Sequence, residues 1–437
     1  MRSVSAKTMV IFAVAGMVAP ADLPSAGAGT APLNLASLIR EAAERSPALA
    51  AARSRVLAAE ATPSQAEALP DPLVTVSYQN ESLTDWTFGH SPDSFLSFSW
   101  TQELPYSGKR EAAGEVARSE ITVSQRRLDR IWLETVAGIK RAYADLYRID
   151  RTATILSESR ELLRSFLDTA RARYEVGEGI LENVLKAQTE ITKLDADLAK
   201  LVQERASAAA LLIALAGRRD DAAAGPVLDL PETSPLPDVA DLEKEALARS
   251  PEILEMEAAA RREEARLDLA RRQLKPDLMW GASYANRGEL DPMIMGTFGV
   301  RLPLSRNSKQ VQGIIQARHE AEAAGHEVES ARLRLLAEIR DLAARAARAG
   351  TLSRLFAEGV LPQARSALDS AAAAYGVGRA DFLTLLEDFR TLLSYEIDHE
   401  TQRAERVSAL AALEPLTGRA LIPVSEGGAA SEGGRHE

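Results

Sequence analysis

Apolar residues along this chain follow two rhythms, one of period about three and a half and one of period two, and the sequence runs through both of them twice. Leu35, Ala42, Leu49 and Val56 recur at seven-residue spacing behind Asn34, which predicts a helix capped by the Asn34 side chain. Pro70 and Pro72 end it. Two segments of strict alternation follow, predicting strands over about 73–80 and 95–103. In the first, Val74, Val76 and Tyr78 alternate with Thr75, Ser77 and Gln79; in the second, Leu96, Phe98 and Trp100 alternate with Ser97, Ser99 and Thr101. No proline then occurs between Pro105 and Pro226. Leu128, Trp132, Val136, Ile139, Tyr143 and Leu146 fall at steps of three and four, the signature of one buried helical stripe. The stripe continues through Leu156, Leu163, Leu167, Ala170 and Tyr174, breaks at Gly177-Glu178-Gly179, and resumes with Val184, Ile191, Leu194, Leu198, Leu201 and Leu215. As one helix, the stretch from Lys109 to Tyr174 would be ~100 Å long at 1.5 Å per residue. An antiparallel helical hairpin with a glycine turn at its far end is therefore expected.

The second passage repeats the first. Leu38…Arg45-Ser46-Pro47 returns as Leu242…Arg249-Ser250-Pro251, and Pro70-Asp71…Tyr78…Asn80 returns as Pro276-Asp277…Tyr284…Asn286. Leu104-Pro105 returns as Leu302-Pro303, Tyr174-x-Val176-Gly177 as Tyr375-x-Val377-Gly378, and Leu215-x-Gly217 as Leu416-x-Gly418. Five matches in one order point to a tandem duplication, with repeats over 35–217 and 239–418. A linker over 218–238, holding Pro226, Pro231, Pro235 and Pro237, joins them. In the second repeat, Leu278, Trp280, Ala282 and Tyr284 alternate with Met279, Gly281, Ser283 and Ala285, and Phe298, Val300 and Leu302 with Thr297, Gly299 and Arg301, which predicts strands over about 277–286 and 296–303. Pro362 lies in the second long helix and predicts a kink that the first half lacks. Residues 419–437 are polar and glycine-rich, and read as a flexible tail.

Composition narrows the class. Aromatics make up only 5% of the 437 residues, the usage of long helices packed through small side chains. A net charge of −11 argues against nucleic-acid binding, which needs clustered Lys and Arg against phosphates. There are no cysteines, so disulfides, thiolate metal sites and lipidation of an N-terminal Cys are excluded. Arg2 and Lys7, the apolar run Met9–Ala19, Pro20 and Pro24, and Ala26-Gly27-Ala28 form the three regions of a secretory signal peptide over 1–28.

The alternating segments then decide the environment. One face of each is apolar, the other mostly small or polar, and each is about as long as the ~10 residues of a transmembrane β-strand. Tyr78, Trp86, Trp100, Trp280 and Tyr284 are candidates for membrane-interface aromatics. Four strands cannot close a barrel, and lipid tolerates no open edge. Two copies would give eight strands with a filled interior, whereas three give twelve strands and a lumen that Ser, Thr, Gly and Ala leave open.

These duplicated helix–strand–strand–helix halves, the two Tyr-x-Val-Gly turns and the run Gln102-x-Leu104-Pro105-x-x-Gly108-Lys109-Arg110 resemble the TolC family of outer-membrane efflux proteins. The last run is similar to the CzcC- and CusC-like heavy-metal branch. The resemblance implies a mainly α fold with a small transmembrane β part: a homotrimer with a twelve-stranded β-barrel in the outer membrane and a twelve-helix α-barrel crossing the periplasm. It implies a passive exit channel without cofactors, working with a periplasmic adaptor and an inner-membrane resistance–nodulation–division pump. It places the adaptor-docking tips at Tyr174, Val176, Gly177, Tyr375, Val377 and Gly378, and a periplasmic gate at Glu182, Glu387 and Asp388. Thr384 stands where relatives can carry Asp, and Asn183 is its partner in the first half. Drug efflux, type I protein secretion, a periplasmic adaptor and a coiled-coil scaffold are the alternative readings. No enzyme is expected. The histidines at 90, 319, 326, 399 and 436 do not read as a zinc set: His319 and His326, seven apart, share a helix face but lie ~10 Å apart along the axis, and Met293 and Met295 read as apolar strand residues.

Overall fold

A computed structural model describes residues 32–218 and 225–423; the proposed signal peptide lies outside them. Asn34 accepts a hydrogen bond from the Ser37 amide and starts α1 (Leu35–Arg45). The heptad pattern suggests one opening helix, but the chain turns extended at Ser46 and restarts at Pro47 as α2 (Pro47–Glu67). Proline fits the first helical turn, where no amide partner is needed, so Arg-Ser-Pro marks a corner between helices. The same corner separates α5 (Val239–Arg249) from α6 (Pro251–Arg272). Strands β1 (Leu73–Gln79) and β2 (Phe95–Leu104) follow α2, and β3 (Asp277–Arg287) and β4 (Leu290–Arg301) follow α6. The fourth strand begins at Leu290, six residues before the alternation becomes legible, because Gly288 and Glu289 form a tight turn that pairs Arg287 with Leu290.

The first long helix, α3 (Lys109–Glu175), runs 67 residues without a break and returns as α4 (Leu181–Leu215). Its counterpart is divided. α7 (Gln310–Leu355) passes through a π turn over Phe356–Val360 into α8 (Leu361–Gly376), and α9 (Phe382–Thr417) returns. Pro362 has no amide to give to the preceding turn, so the expected break in symmetry is a widened turn just ahead of it.

The helices lie side by side beneath the sheet, with α2 against α3, α3 against α6, and α6 against α7, matching the strand order β1-β2-β3-β4. Three cores follow the long axis. Leu38, Ile139, Leu146 and Leu212 fill the middle of the first half, and Leu242, Ile253, Ile339 and Leu410 that of the second. Leu163, Leu194, Phe382 and Phe389 fill the far end, where both hairpins meet. Each such side chain contributes about 1.5–3 kcal/mol of burial. The chain after α9 is not all free tail. Leu421 and Ile422 are buried, their amides bonded to Glu414 at 2.8 Å, while Lys140 bonds Glu414 at 2.6 Å and the Ile422 carbonyl at 3.1 Å. A flexible tail beginning at 419 is therefore corrected: the buried side chains of Leu421 and Ile422 anchor the chain through 422.

Candidate functional site

The sheet is fully antiparallel, and its register stacks like with like. Val76 lies opposite Phe98, Phe98 opposite Tyr284, and Tyr284 opposite Ile294. Thr75 lies opposite Ser99, and Ser99 opposite Ser283. One face is thus mainly apolar and largely exposed, with Gln102 and Asn286 as its polar members, and the other carries hydroxyls, glycine and Met293 and Met295. In the protomer β1 and β4 each have one unpaired edge.

A knot of contacts fixes strand to helix. Lys109, at the head of α3, donates to Asp277 at 2.7 Å and to the Lys275 carbonyl at 2.8 Å. The Tyr106 amide donates to the same Asp277 oxygen at 2.8 Å. Gln102 donates to the Pro70 carbonyl at 2.6 Å, Arg110 to the Glu67 carbonyl, and Arg272 to the Gly108 carbonyl. Every polar side chain singled out in the Gln102–Arg110 run therefore holds the end of one element against the start of another.

At the far end the two Tyr-x-Val-Gly segments make the same turn. Gly177, with φ 78°, donates to the Tyr174 carbonyl at 3.1 Å, while Glu178 donates to that of Arg173 at 2.9 Å. Gly378, with φ 73°, donates to the Tyr375 carbonyl at 3.1 Å, while Arg379 donates to that of Ala374 at 2.8 Å. This paired 5→2 and 6→1 closure needs a left-handed residue, which explains the glycine. Two cross-links join the hairpins. The Arg173 guanidinium donates to the Tyr375 carbonyl and lies 5.2 Å from the Tyr375 ring centroid, and Arg390 on α9 pairs with buried Glu190 on α4. Burial raises the Glu190 carboxyl, but hydrogen bonds from Arg390 and Lys193 outweigh it and hold the group below the usual carboxylate range.

The profile of the outer membrane efflux protein family matches residues 38–218 and again 242–419. The chain belongs to this family. No curated protein matches it. Among solved structures, the outer-membrane channel OprN superposes with a TM-score of 0.75 at 20% identity, covering 89% of this chain and 91% of that one. VceC from Vibrio cholerae gives 0.74 at 20%, covering 88% and 96%, and CusC gives 0.72 at 18%, covering 90% and 95%. These establish a TolC-type channel fold, and the efflux family is one of outer-membrane channels, not enzymes. No helix among the described residues is long and apolar enough to cross a membrane, and no three His, Asp or Glu among them cluster as metal ligands.

Within this efflux channel the predicted residues are unevenly placed. Val176 and Val377 are both 71% exposed at the turn apices, and Tyr174 is exposed. Tyr375 is only 4% exposed, its ring 5.4 Å from that of Phe382, so it supports the tip from inside and does not offer a docking surface. Burial pushes its hydroxyl up, and Asn183 hydrogen-bonds it. Glu182 pairs with Lys186 at 2.7 Å, whereas Glu387 and Asp388 form no ion pair among the described residues. Trp86 lies in the β1–β2 loop, stacked on Tyr78 at 4.7 Å. Trp100 and Trp280 meet edge-on at 4.6 Å, roughly 13–20 Å further along the strands at 3.3 Å per residue. Tyr284, opposite Phe98, falls between the two groups. Arg173, Glu190, Arg390 and the Lys109–Asp277 bond were not identified as joints. Asp277 stands in the repeated Pro-Asp pair and Lys109 in the Gln102–Arg110 run, but only folding brings them together.

Proposed function

We propose that three copies close into a twelve-stranded barrel and serve as the outer-membrane exit duct of a tripartite efflux system. The observation that carries this is the four-stranded sheet with one mainly apolar face, centred on Val76, Phe98, Tyr284 and Ile294, and two unpaired edges. Lipid offers no partner for those edges, so a neighbouring copy must. An adaptor would meet the turn apices at Val176, Gly177, Val377 and Gly378, with Tyr174 beside them. An inner-membrane resistance–nodulation–division pump would supply the free energy. Glu182, Glu387 and Asp388 follow the turns, where carboxylates crowd a narrowed entrance and favour cations, and the Arg173 and Arg390 cross-links would hold that entrance narrow. Heavy-metal cations are the proposed cargo, on the similarity of the Gln102–Arg110 run to the metal branch. A strain deleted for the protein is expected to lose tolerance to copper, silver, zinc or cobalt and to regain it on complementation. Unchanged metal tolerance with new drug hypersensitivity would overturn the cargo and leave the duct standing.

A further inference from the structure

The duplication and the open sheet together specify a contact between copies. Within one protomer, the seam between repeats is β2 against β3, clamped at its base by Lys109 on Asp277. Asp277 follows Pro276 as Asp71 follows Pro70, and Lys109 stands between Leu104-Pro105 and a long helix as Lys309 stands between Leu302-Pro303 and α7. Asp71 and Lys309 are both exposed and make no ion pair among the described residues. Asp71 leads into β1 and Lys309 caps α7 after β4, so they belong to the two strands with free edges, at opposite ends of the strand order. A ring of copies brings each β4 beside the next β1.

We propose that Lys309 of one copy clamps Asp71 of the next, repeating across the subunit seam the bond that Lys109 makes to Asp277 inside the chain. This rests on the trimeric barrel reading. The same equivalence sets the register. Opposition of Gln102 to Trp280, Trp100 to Ala282 and Ser99 to Ser283 carries over to Val300 against Val74, Phe298 against Val76, and Thr297 against Ser77 of the neighbour. The transferred register keeps apolar against apolar on the lipid face and hydroxyl against hydroxyl in the lumen, which a slip of one residue would destroy. The helices agree: α6 packs on both α3 and α7, so α7 and α2 hold the flanks left to meet a neighbour. The link from Pro303 to Lys309 is two residues longer than that from Pro105 to Lys109, which gives the lysine slack to reach.

Because the chain has no cysteine, the seam can be tested directly. With Ser77→Cys and Thr297→Cys together, mild oxidation of outer membranes should give covalent trimers on a denaturing gel. Pairing Ser77→Cys with Gly299→Cys or Met295→Cys, two residues out of register, should give several-fold less. Asp71→Lys and Lys309→Asp should each lower the temperature at which detergent-solubilised trimers dissociate, and the two together should recover it. Trimers linked best at an offset pair, or a double charge swap no better than the singles, would overturn the clamp and leave the trimer intact. A protein monomeric by light scattering in detergent would overturn the trimer itself.

Discussion

Single residues matter most where two backbones touch. Gly217 has φ 77° and closes α4 onto the corner between α1 and α2, where an added Cβ would sit 2.7 Å from the Arg45 carbonyl carbon. Gly217→Ala therefore meets both the left-handed penalty, about 1–2 kcal/mol, and a clash with backbone that cannot rotate away. Gly177→Ala meets only the first, because nothing lies within 4 Å of its added Cβ. Denaturant melts in detergent should find the first variant clearly less stable than the second. Lys140 and Glu414 form a buried pair, so Lys140→Met leaves a carboxylate with only backbone partners in an apolar surround. A loss of about 3–5 kcal/mol is expected in the same melts, with earlier proteolysis at the C-terminus as the structural sign.

Elements respond to pH through groups that the helices bury between them. On α9, burial holds the His399 imidazole below its ordinary value, with Glu400 opposing and Arg403, Arg151 and Arg365 reinforcing the shift. The unfolded chain then binds the proton more readily, so this contribution is complete above about pH 6.5 and is lost as pH falls from there through the lower folded value. Glu190 acts in a separate window. Its depressed folded value means that the α4–α9 bond to Arg390 stabilises above about pH 4.3 and is lost as pH falls through the folded value below it. Melting temperature against pH should show both declines, with His399→Gln removing the upper and Glu190→Gln the lower. Helix existence was legible from the apolar steps, and the turns from Tyr-x-Val-Gly. Neither the corner at Ser46 nor the π turn at Phe356–Val360 was, because a heptad count runs across a corner and a proline does not say how the turn before it adapts.

Across the whole molecule, the two faces of the sheet make opposite demands. Val76 and Ile294 point from the apolar face near its middle, and Thr75 and Ser99 from the hydroxyl face. An arginine on the lipid side of a barrel costs about 2–4 kcal/mol at the bilayer midplane, whereas one in the lumen stays in water. Val76→Arg and Ile294→Arg should sharply reduce protein recovered from outer membranes, and Thr75→Arg should leave recovery near normal while altering conductance in planar bilayers. Equal loss from both faces would sink the assignment of inside and outside.

The periodicities alone determined that the chain is mostly helical, that its alternating segments have one oily face, and that the plan is stated twice. They could do so because a period of three and a half or of two is local: each residue's side of an element depends only on its neighbours in sequence. Lys109 with Asp277, Arg173 with Tyr375, and Arg390 with Glu190 were decided only by tertiary structure. Each bond joins residues 168 to 202 positions apart. Its geometry depends on how the two repeats dock, and no pattern within either repeat encodes that distance.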